Sequence, residues 1–311
     1  MFILSCGGWY VGNSAVIEWL SRYPQFYYLK GDFHELRSIN GIYDCIAAPD
    51  RILKWKWILI LIIHHIKGIF RSILESFRQK KRTTHGYILK YNITMLIILL
   101  GYFFHSIFNF RDKKQDIKFW RDKLIILSQR LGRNSSELIL QNPIYYDNIA
   151  PEHIKIWREI FNIKKIIFVT RDPVDQFIDI YNHGELRYGQ TRFRHGTKGL
   201  NEVETYFKIC RRTYESRLKM LREYSVDELC IINFERFSQL SNVDEKALKK
   251  FFKINTRAIS SFDFSYTESN TNLALRYPEI GDLLKPYEKE LDELYVLKEM
   301  LDESAHSLTK K

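Results

Sequence analysis

The chain has 311 residues, ample for one large α/β domain with a sizeable core. Its 48 Lys and Arg against 37 Asp and Glu give a net charge of +11 and a pI near 9.3, which favours anionic partners: a nucleotide, an acidic glycan or an anionic membrane surface. Charge alone would also admit nucleic acid, but no recognised nucleic-acid module stands in the sequence, so no nucleic-acid partner is expected. Cys6, Cys45, Cys210 and Cys230 are scattered with no C-x-x-C pair, which excludes a disulfide framework or zinc knuckle and fits a reducing, cytoplasmic setting. No basic, long-apolar, small-residue leader precedes Phe2, in keeping with that expectation.

Phe2 to Leu4 is apolar and β-prone, as a short buried strand should be. Gly7-Gly8-Trp9-Tyr10-Val11-Gly12-Asn13-Ser14 then forms a glycine-punctuated loop, and Ala15 to Leu20 is helix-compatible. Strand, glycine loop and helix make the context in which backbone N–H groups and a helix N-terminus cradle a phosphate. The spacing G-x-x-x-x-G-N-S matches a P-loop, but Asn13 holds the lysine position. An ATPase or kinase needs that lysine on the β- and γ-phosphates, so the loop argues against ordinary NTP hydrolysis. The plain alternative is a tight βα turn whose glycines serve packing.

Pro24 ends the first helix, and Phe26 to Leu29 reads as a second strand. It delivers Gly31-Asp32-Phe33-His34-Glu35-Leu36-Arg37 to its C-terminal end, where ligands collect in an open parallel sheet. Asp32 and His34 are therefore the candidates for acid/base work, with Glu35 beside them. The alternative makes them loop polars, Asp32 capping a helix.

Residues 51–118 read as a helical insertion within a single 1–311 domain. Between Arg51 and Arg130 stand 17 Lys/Arg and 4 Asp/Glu, more than the whole net excess. Ile58–Ile63 and Ile93–Phe104 are apolar runs in this basic setting. A membrane span needs about 18 or more uninterrupted apolar residues. Lys56, His64, His65 and Lys67 break the run from Lys54, and Asn92, Thr94, His105, Ser106 and Asn109 punctuate the one from Tyr91 to Phe110. Buried helices of a helical subdomain are the favoured reading. Interfacial contact with an anionic bilayer, peripheral at the inner face of the membrane, is the sharper one; a true span ranks last.

Phe119 to Leu131 predicts an amphipathic helix ended at Gly132, Glu137 to Pro143 a strand running into a loop, and Pro151 to Phe161 a helix. Ile166 to Thr170 is an apolar strand, followed by Arg171-Asp172-Pro173-Val174-Asp175 and a helix from near Val174. The polar loop from Asn182 to Leu200 carries Arg187, Arg192, Arg194 and Lys198, suited to an acidic acceptor or to plain solvation. Val203 to Tyr224 reads as a helix, Leu229 to Glu235 as a strand, and Ser238–Phe252 and Pro278–Leu301 as closing helices. Strands alternating with helices predict a parallel sheet covered on both faces.

The glycine loop and the Arg171 motif, in this order, resemble the sulfotransferases that use 3′-phosphoadenosine 5′-phosphosulfate (PAPS). In particular they resemble sulfotransferase-like proteins encoded with bacterial surface-polysaccharide genes, whose G-E-F-R-like segment is similar to Gly31-Asp32-Phe33-His34. The resemblance runs from Phe2 to Phe237 and implies a three-layer P-loop-type parallel sheet flanked by helices. It implies PAPS as co-substrate without a metal, held by Gly8, Trp9, Tyr10, Val11, Gly12, Asn13 and Ser14 at its 5′ end and by Arg171 at its 3′-phosphate. It also places Asp32 or His34 as base, and a glycan or lipid-linked saccharide as acceptor. The chain departs from the family at Tyr10, where Lys or Arg is usual, at Asn13, where a hydroxyl is usual, and at Asp179. The last stands where a Ser helps hold the 3′-phosphate, and its negative charge would repel that group. These departures favour the alternative of a non-catalytic P-loop-fold protein that binds a nucleotide or a membrane-bound partner.

Overall fold

The computed structural model describes residues 2–5, 11–28, 42–78, 83–109, 112–131, 137–141, 154, 158–159, 163–184, 186, 199–240, 242–255, 257 and 260–308, and every structural statement concerns these. The chain opens in β1 (Phe2–Ser5), enters α1 (Asn13–Ser21) and returns in β2 (Phe26–Tyr28). Four helices follow: α2 (Ile42–Ala47), α3 (Arg51–Arg78), α4 (Thr83–Phe108) and α5 (Lys113–Leu131). Then come β3 (Glu137–Gln141), β4 (Ile163–Thr170), α6 (Pro173–Asn182), α7 (Glu202–Leu221) and β5 (Leu229–Asn233). The remainder is helical: α8 (Phe234–Ser238), α9 (Asn242–Phe251), α10 (Ser265–Glu268), α11 (Leu273–Arg276), α12 (Pro278–Gly281), a 3-10 turn (Asp282–Tyr287) and α13 (Glu288–Asp302).

The five strands make one sheet in the order β2-β3-β1-β4-β5, every neighbouring pair parallel. The protein is thus a helix-rich α/β molecule on a small parallel sheet. A parallel strand buried on both faces reads as an apolar run rather than an alternation, which is how Ile163–Thr170 (IKKIIFVT) reads after its two lysines. Successive side chains still point to opposite faces. Ile166 and Phe168 join a core with Phe177 of α6 and Tyr206 and Tyr214 of α7. Ile167 and Val169 join a separate core with Val16 and Leu20 of α1 and Leu248 of α9. The outer edge of β5 is closed by the end of the chain: the Ile231 N–H donates to the His306 carbonyl (2.9 Å) and Leu308 N–H to the Ile231 carbonyl (3.0 Å).

Three predicted elements differ. The helix expected from Phe119 begins at Lys113, where the Asp112 carboxylate accepts the N–H groups of Lys114 and Gln115 and so starts it a turn and a half early. The helix expected over Ser238–Phe252 begins at Asn242, as α9, and the end of the segment expected as a strand to Glu235 turns into the short α8. The helix expected over Pro278–Leu301 is broken into α12, the 3-10 turn and α13, with Pro286, which lacks an N–H, inside the turn.

α3, α4 and α5 are joined by a buried ion pair: Lys54 Nζ of α3 lies 2.5 Å from Asp116 Oδ2 of α5, both side chains nearly inaccessible. Burial pushes the Asp116 carboxyl up from its ordinary value, and the Lys54 ammonium pulls it back down. Lys54 Nζ also lies 5.7 Å from the centre of the Tyr102 ring of α4, so one cation ties three helices. Removing one partner of such a pair strands a buried charge, which typically costs about 3–5 kcal/mol. Lys54→Met is expected to destabilise the protein by that order in chemical denaturation, and Lys54→Met with Asp116→Leu to recover most of the loss. Additive effects of the two substitutions would show that the pair does not couple the helices.

Candidate functional site

The connection from β1 leads to one side of the sheet, through α1 to β2, whereas that from β4 leads to the other, through α6 and α7 to β5. α1 accordingly packs in one core and α6 in the other. β1 and β4 are hydrogen-bonded neighbours, with Leu4 opposite Ile166 and Ser5 opposite Ile167. The space beyond their C-terminal ends is therefore the topological switch point of the sheet, where open α/β folds bind ligands. Gly12 and Arg171 follow these two strands.

Gly12 has φ +82°, the left-handed region that glycine adopts without strain. A Cβ there would also stand 2.1 Å from Cδ2 of Phe234, so the position has no room for a side chain. From Gly12 the chain enters α1, the Ala15 N–H donating to the Gly12 carbonyl at 3.1 Å. Asn13 is buried and Ser14 exposed in the first turn, which holds no acidic residue to offset the positive end of the helix dipole. Val11, just before, is buried in the core of that face.

Arg171 is 1 % exposed. Its Nη1 donates to Asp179 Oδ2 at 2.5 Å and its Nη2 to the Asn270 carbonyl at 2.6 Å, while the guanidinium carbon lies 5.2 Å from the centre of the Phe234 ring. Asp179 also faces His183, Nδ1 to Oδ1 3.1 Å. Phe234, the first residue after β5, thus touches both the glycine of the loop and the arginine of the motif. The rest of the motif organises its surroundings. Asp172 caps α6 by accepting the N–H groups of Val174 (2.9 Å) and Asp175 (3.0 Å), and Pro173 supplies the first helical residue. Asp175 accepts the Ala274 N–H at 3.1 Å, holding the first turn of α11; burial raises its carboxyl above the ordinary value and that hydrogen bond lowers it.

A polar network extends from these strand ends to α13. Asp302 accepts hydrogen bonds from the Thr170 hydroxyl and the Asn233 amide, at 2.5 and 2.8 Å, and pairs with Lys298 at 2.7 Å. Glu235 accepts the Asp172 N–H at 2.7 Å; burial raises its carboxyl, against the pull of Lys298 at 3.8 Å. The Tyr295 hydroxyl donates to Asp172 Oδ2 at 2.9 Å, and burial together with that carboxylate raises its pKa. Sequence reading singled out none of Tyr295, Lys298 and Asp302. Their i, i+3, i+7 spacing on one helix face is the signal that could have found them.

The structure therefore places Gly12, between Val11 and the Asn13–Ser14 start of α1, and Arg171 with Asp179 near the same Phe234 ring. Gly8, Trp9, Tyr10, Asp32 and His34 lie outside the described residues, as do Glu35 and the basic side chains at Arg187, Arg192, Arg194 and Lys198.

No family model matches the sequence, and no curated protein matches it. Among solved structures the chain is similar to a sulfotransferase from Alicyclobacillus acidocaldarius, at 13 % identity over 96 % of this chain and 95 % of that one, TM-score 0.47. It is also similar to the sulfotransferase domain of the Synechococcus PCC 7002 olefin synthase (12 %, 98 % and 94 %, TM-score 0.49). A third is the sulfotransferase domain from the curacin biosynthetic pathway (10 %, 82 % and 74 %, TM-score 0.49).

Gly12→Ala meets both constraints at once. A left-handed non-glycine residue costs about 1–2 kcal/mol and overpacking typically about 1–3 kcal/mol, so a loss of about 2–5 kcal/mol in unfolding free energy is expected. Phe234→Leu in the same background should return part of it. An unchanged denaturation midpoint for Gly12→Ala would rule out the packing described.

Proposed function

We propose that the protein is a PAPS-dependent sulfotransferase on a three-layer P-loop-type fold, with a hydroxyl of a glycan or lipid-linked saccharide as acceptor. The observation that carries this reading is the juxtaposition at the switch point of a left-handed glycine leading into a helix N-terminus and, on the next strand, an arginine followed by Asp-Pro. It is supported by the sequence resemblance of the two motifs in that order. The N-terminal turn of α1, with Asn13 and Ser14, fits the 5′-phosphate and the bridging oxygen of the donor. The 3′-phosphate is a different matter. Arg171 as it stands is committed to Asp179 and Asn270, so that phosphate would have to displace the Asp179 carboxylate to reach it.

In the reaction the acceptor oxygen bonds to sulfur while the bond from sulfur to the bridging phosphate oxygen breaks. The acceptor proton passes to a base, Asp32 or His34 in this reading, and the departing 5′-phosphate takes up negative charge. The chain's contribution is orientation and electrostatic stabilisation: α1 N–H groups face that charge where it develops. The competing reading, a nucleotide-binding or membrane-associated protein without transfer activity, is favoured by the Arg171–Asp179 pair, which fills the expected phosphate partner with an internal one.

Calorimetric titration with adenosine 3′,5′-bisphosphate separates these readings. The wild type is expected to bind. Asp179→Ser is expected to bind about 10–100-fold more tightly, because a charged hydrogen bond worth about 1.5–3 kcal/mol no longer competes. Asp32→Asn should leave binding intact and cut sulfuryl transfer to a glycan acceptor by about 10²–10⁴-fold, the usual worth of general-base help. Absence of binding in both wild type and Asp179→Ser would end the donor assignment. Binding without transfer to any saccharide acceptor would favour the competing reading.

A further inference from the structure

α3 and α4 are both long and apolar enough to cross a membrane, each with a mean hydropathy of 1.6 over an 18-residue window within Arg51–Leu74 and Leu89–Phe108, yet only 22 % and 44 % of these windows are buried. Large apolar residues stand among those left outside. On α3 they include Ile52, Leu59, Ile63, Ile66, Phe70 and Leu74, with Ile52 80 % and Phe70 62 % exposed. Spacings of 7, 4, 3, 4 and 4 keep them in one stripe of a 3.6-residue helix. The packed face lies on the other side and holds Lys54, Ile58, Leu61, His65 and Ser72, polar residues among them. α4 repeats the arrangement. Ile93, Ile97, Leu100, Phe104 and Phe108 point outward, while Asn92, Met95, Leu99, Tyr102 and Ser106 point in, with the Asn92 Oδ1 2.8 Å from His65 Nδ1 across the two helices. In a helix built to face water the apolar stripe is the buried one. Here each helix buries some apolar residues and keeps a further apolar stripe on its outer face.

We infer that this outward apolar face docks on an anionic lipid bilayer, the two helices lying in the interface rather than crossing it. Charge selects this occupant. Exposed Lys56, Lys67 and Arg71 run along one flank of the α3 stripe, where their stems cover apolar surface and their heads reach phosphate-level anions. α3 holds one acidic residue, Glu75, and α4 none. A second copy of so basic a surface would be repelled. A span of the pair is disfavoured by the charges within α3 and by topology, although the uncharged run of α4 is long enough on its own. The uncharged run between Lys56 and Lys67 is residues 57–66, roughly 15 Å of helix at 1.5 Å per residue, against a hydrocarbon core of about 30 Å. A crossing hairpin would also carry Arg78, Lys80, Lys81 and Arg82 through the bilayer, against the bias that keeps such clusters on the cytoplasmic side. The inference does not rest on the donor chemistry proposed above.

Flotation of the full-length protein with vesicles tests it. The protein is expected to float with phosphatidylcholine vesicles containing phosphatidylglycerol and not with phosphatidylcholine alone. Its partition should fall steeply towards 1 M salt, where the screening length is about 3 Å. Each basic residue near an anionic surface is worth about a fivefold change, so Lys56→Gln with Lys67→Gln and Arg71→Gln should lower partition about a hundredfold. Leu59→Ser with Phe70→Ser should abolish flotation with the charges intact. These side chains face away from the core, so circular dichroism and the unfolding midpoint should stay at the wild-type values. Three outcomes would overturn the inference: equal flotation on neutral vesicles, retention through salt and alkaline carbonate until detergent is added, or no flotation with self-association that the Leu59 and Phe70 changes dissolve. The second would mark a span, and the third a second copy as the occupant.

Discussion

The parallel pairing of β1 with β4 is the constraint on which the rest depends. Each strand is short, and each is followed by a helix that must bury its apolar stripe against the sheet. Because α1 goes to one face and α6 to the other, neither can fill the space beyond the two strand ends. Phe234 stands against the residues that follow both strands. Its ring, together with a φ of +82°, requires a glycine at position 12 and gives the Arg171 guanidinium a surface to lie against. Backbone conformation, aromatic packing and a buried cation are therefore parts of one arrangement, and a change at any of them is felt by the other two.

Burial makes Arg171 expensive unless its donors are engaged, since the desolvation of an ion inside a protein costs several kcal/mol even after relaxation. Asp179, the Asn270 carbonyl and the Phe234 face meet that requirement. Asp172, Pro173 and Asp175 meanwhile cap α6, start it and hold the first turn of α11. The same five residues that suggest a phosphate site by their order are thus also the joint between β4, α6 and the C-terminal helices. An anion at Arg171 would compete with Asp179 for the guanidinium, which would link its affinity to the stability of this joint.

The α3–α4 pair follows a different logic. Its inner face spends polar groups on one another, Lys54 with Asp116 and His65 with Asn92, and its outer face keeps Ile, Leu and Phe. Leaving that surface in water forgoes roughly 25 cal/mol for each Å² of apolar area. A hydrocarbon boundary with anionic heads recovers it and rewards the flanking Lys and Arg at the same time. The sequence expectation that favoured buried subdomain helices holds for one face of each helix only.

The parallel α/β class was legible in the sequence because a strand buried on both faces is a continuous apolar run, as at Ile166–Thr170, and because Pro24 and the glycine loop punctuate the chain between elements. The neighbouring of Gly12 and Arg171 was not: 159 positions separate them, and only the strand order β2-β3-β1-β4-β5 places their strands side by side. Nor could the sequence show that Asp179 faces Arg171 as a partner instead of facing a ligand. A spacing of eight on a loop-to-helix path leaves the direction of both side chains to the packing around Phe234. The apolar runs of α3 and α4 were plain in one dimension. Which side of each faces the protein was decided in three, by where Lys54 finds Asp116 and His65 finds Asn92, because a buried polar group settles wherever a partner satisfies it and turns the rest of its helix accordingly.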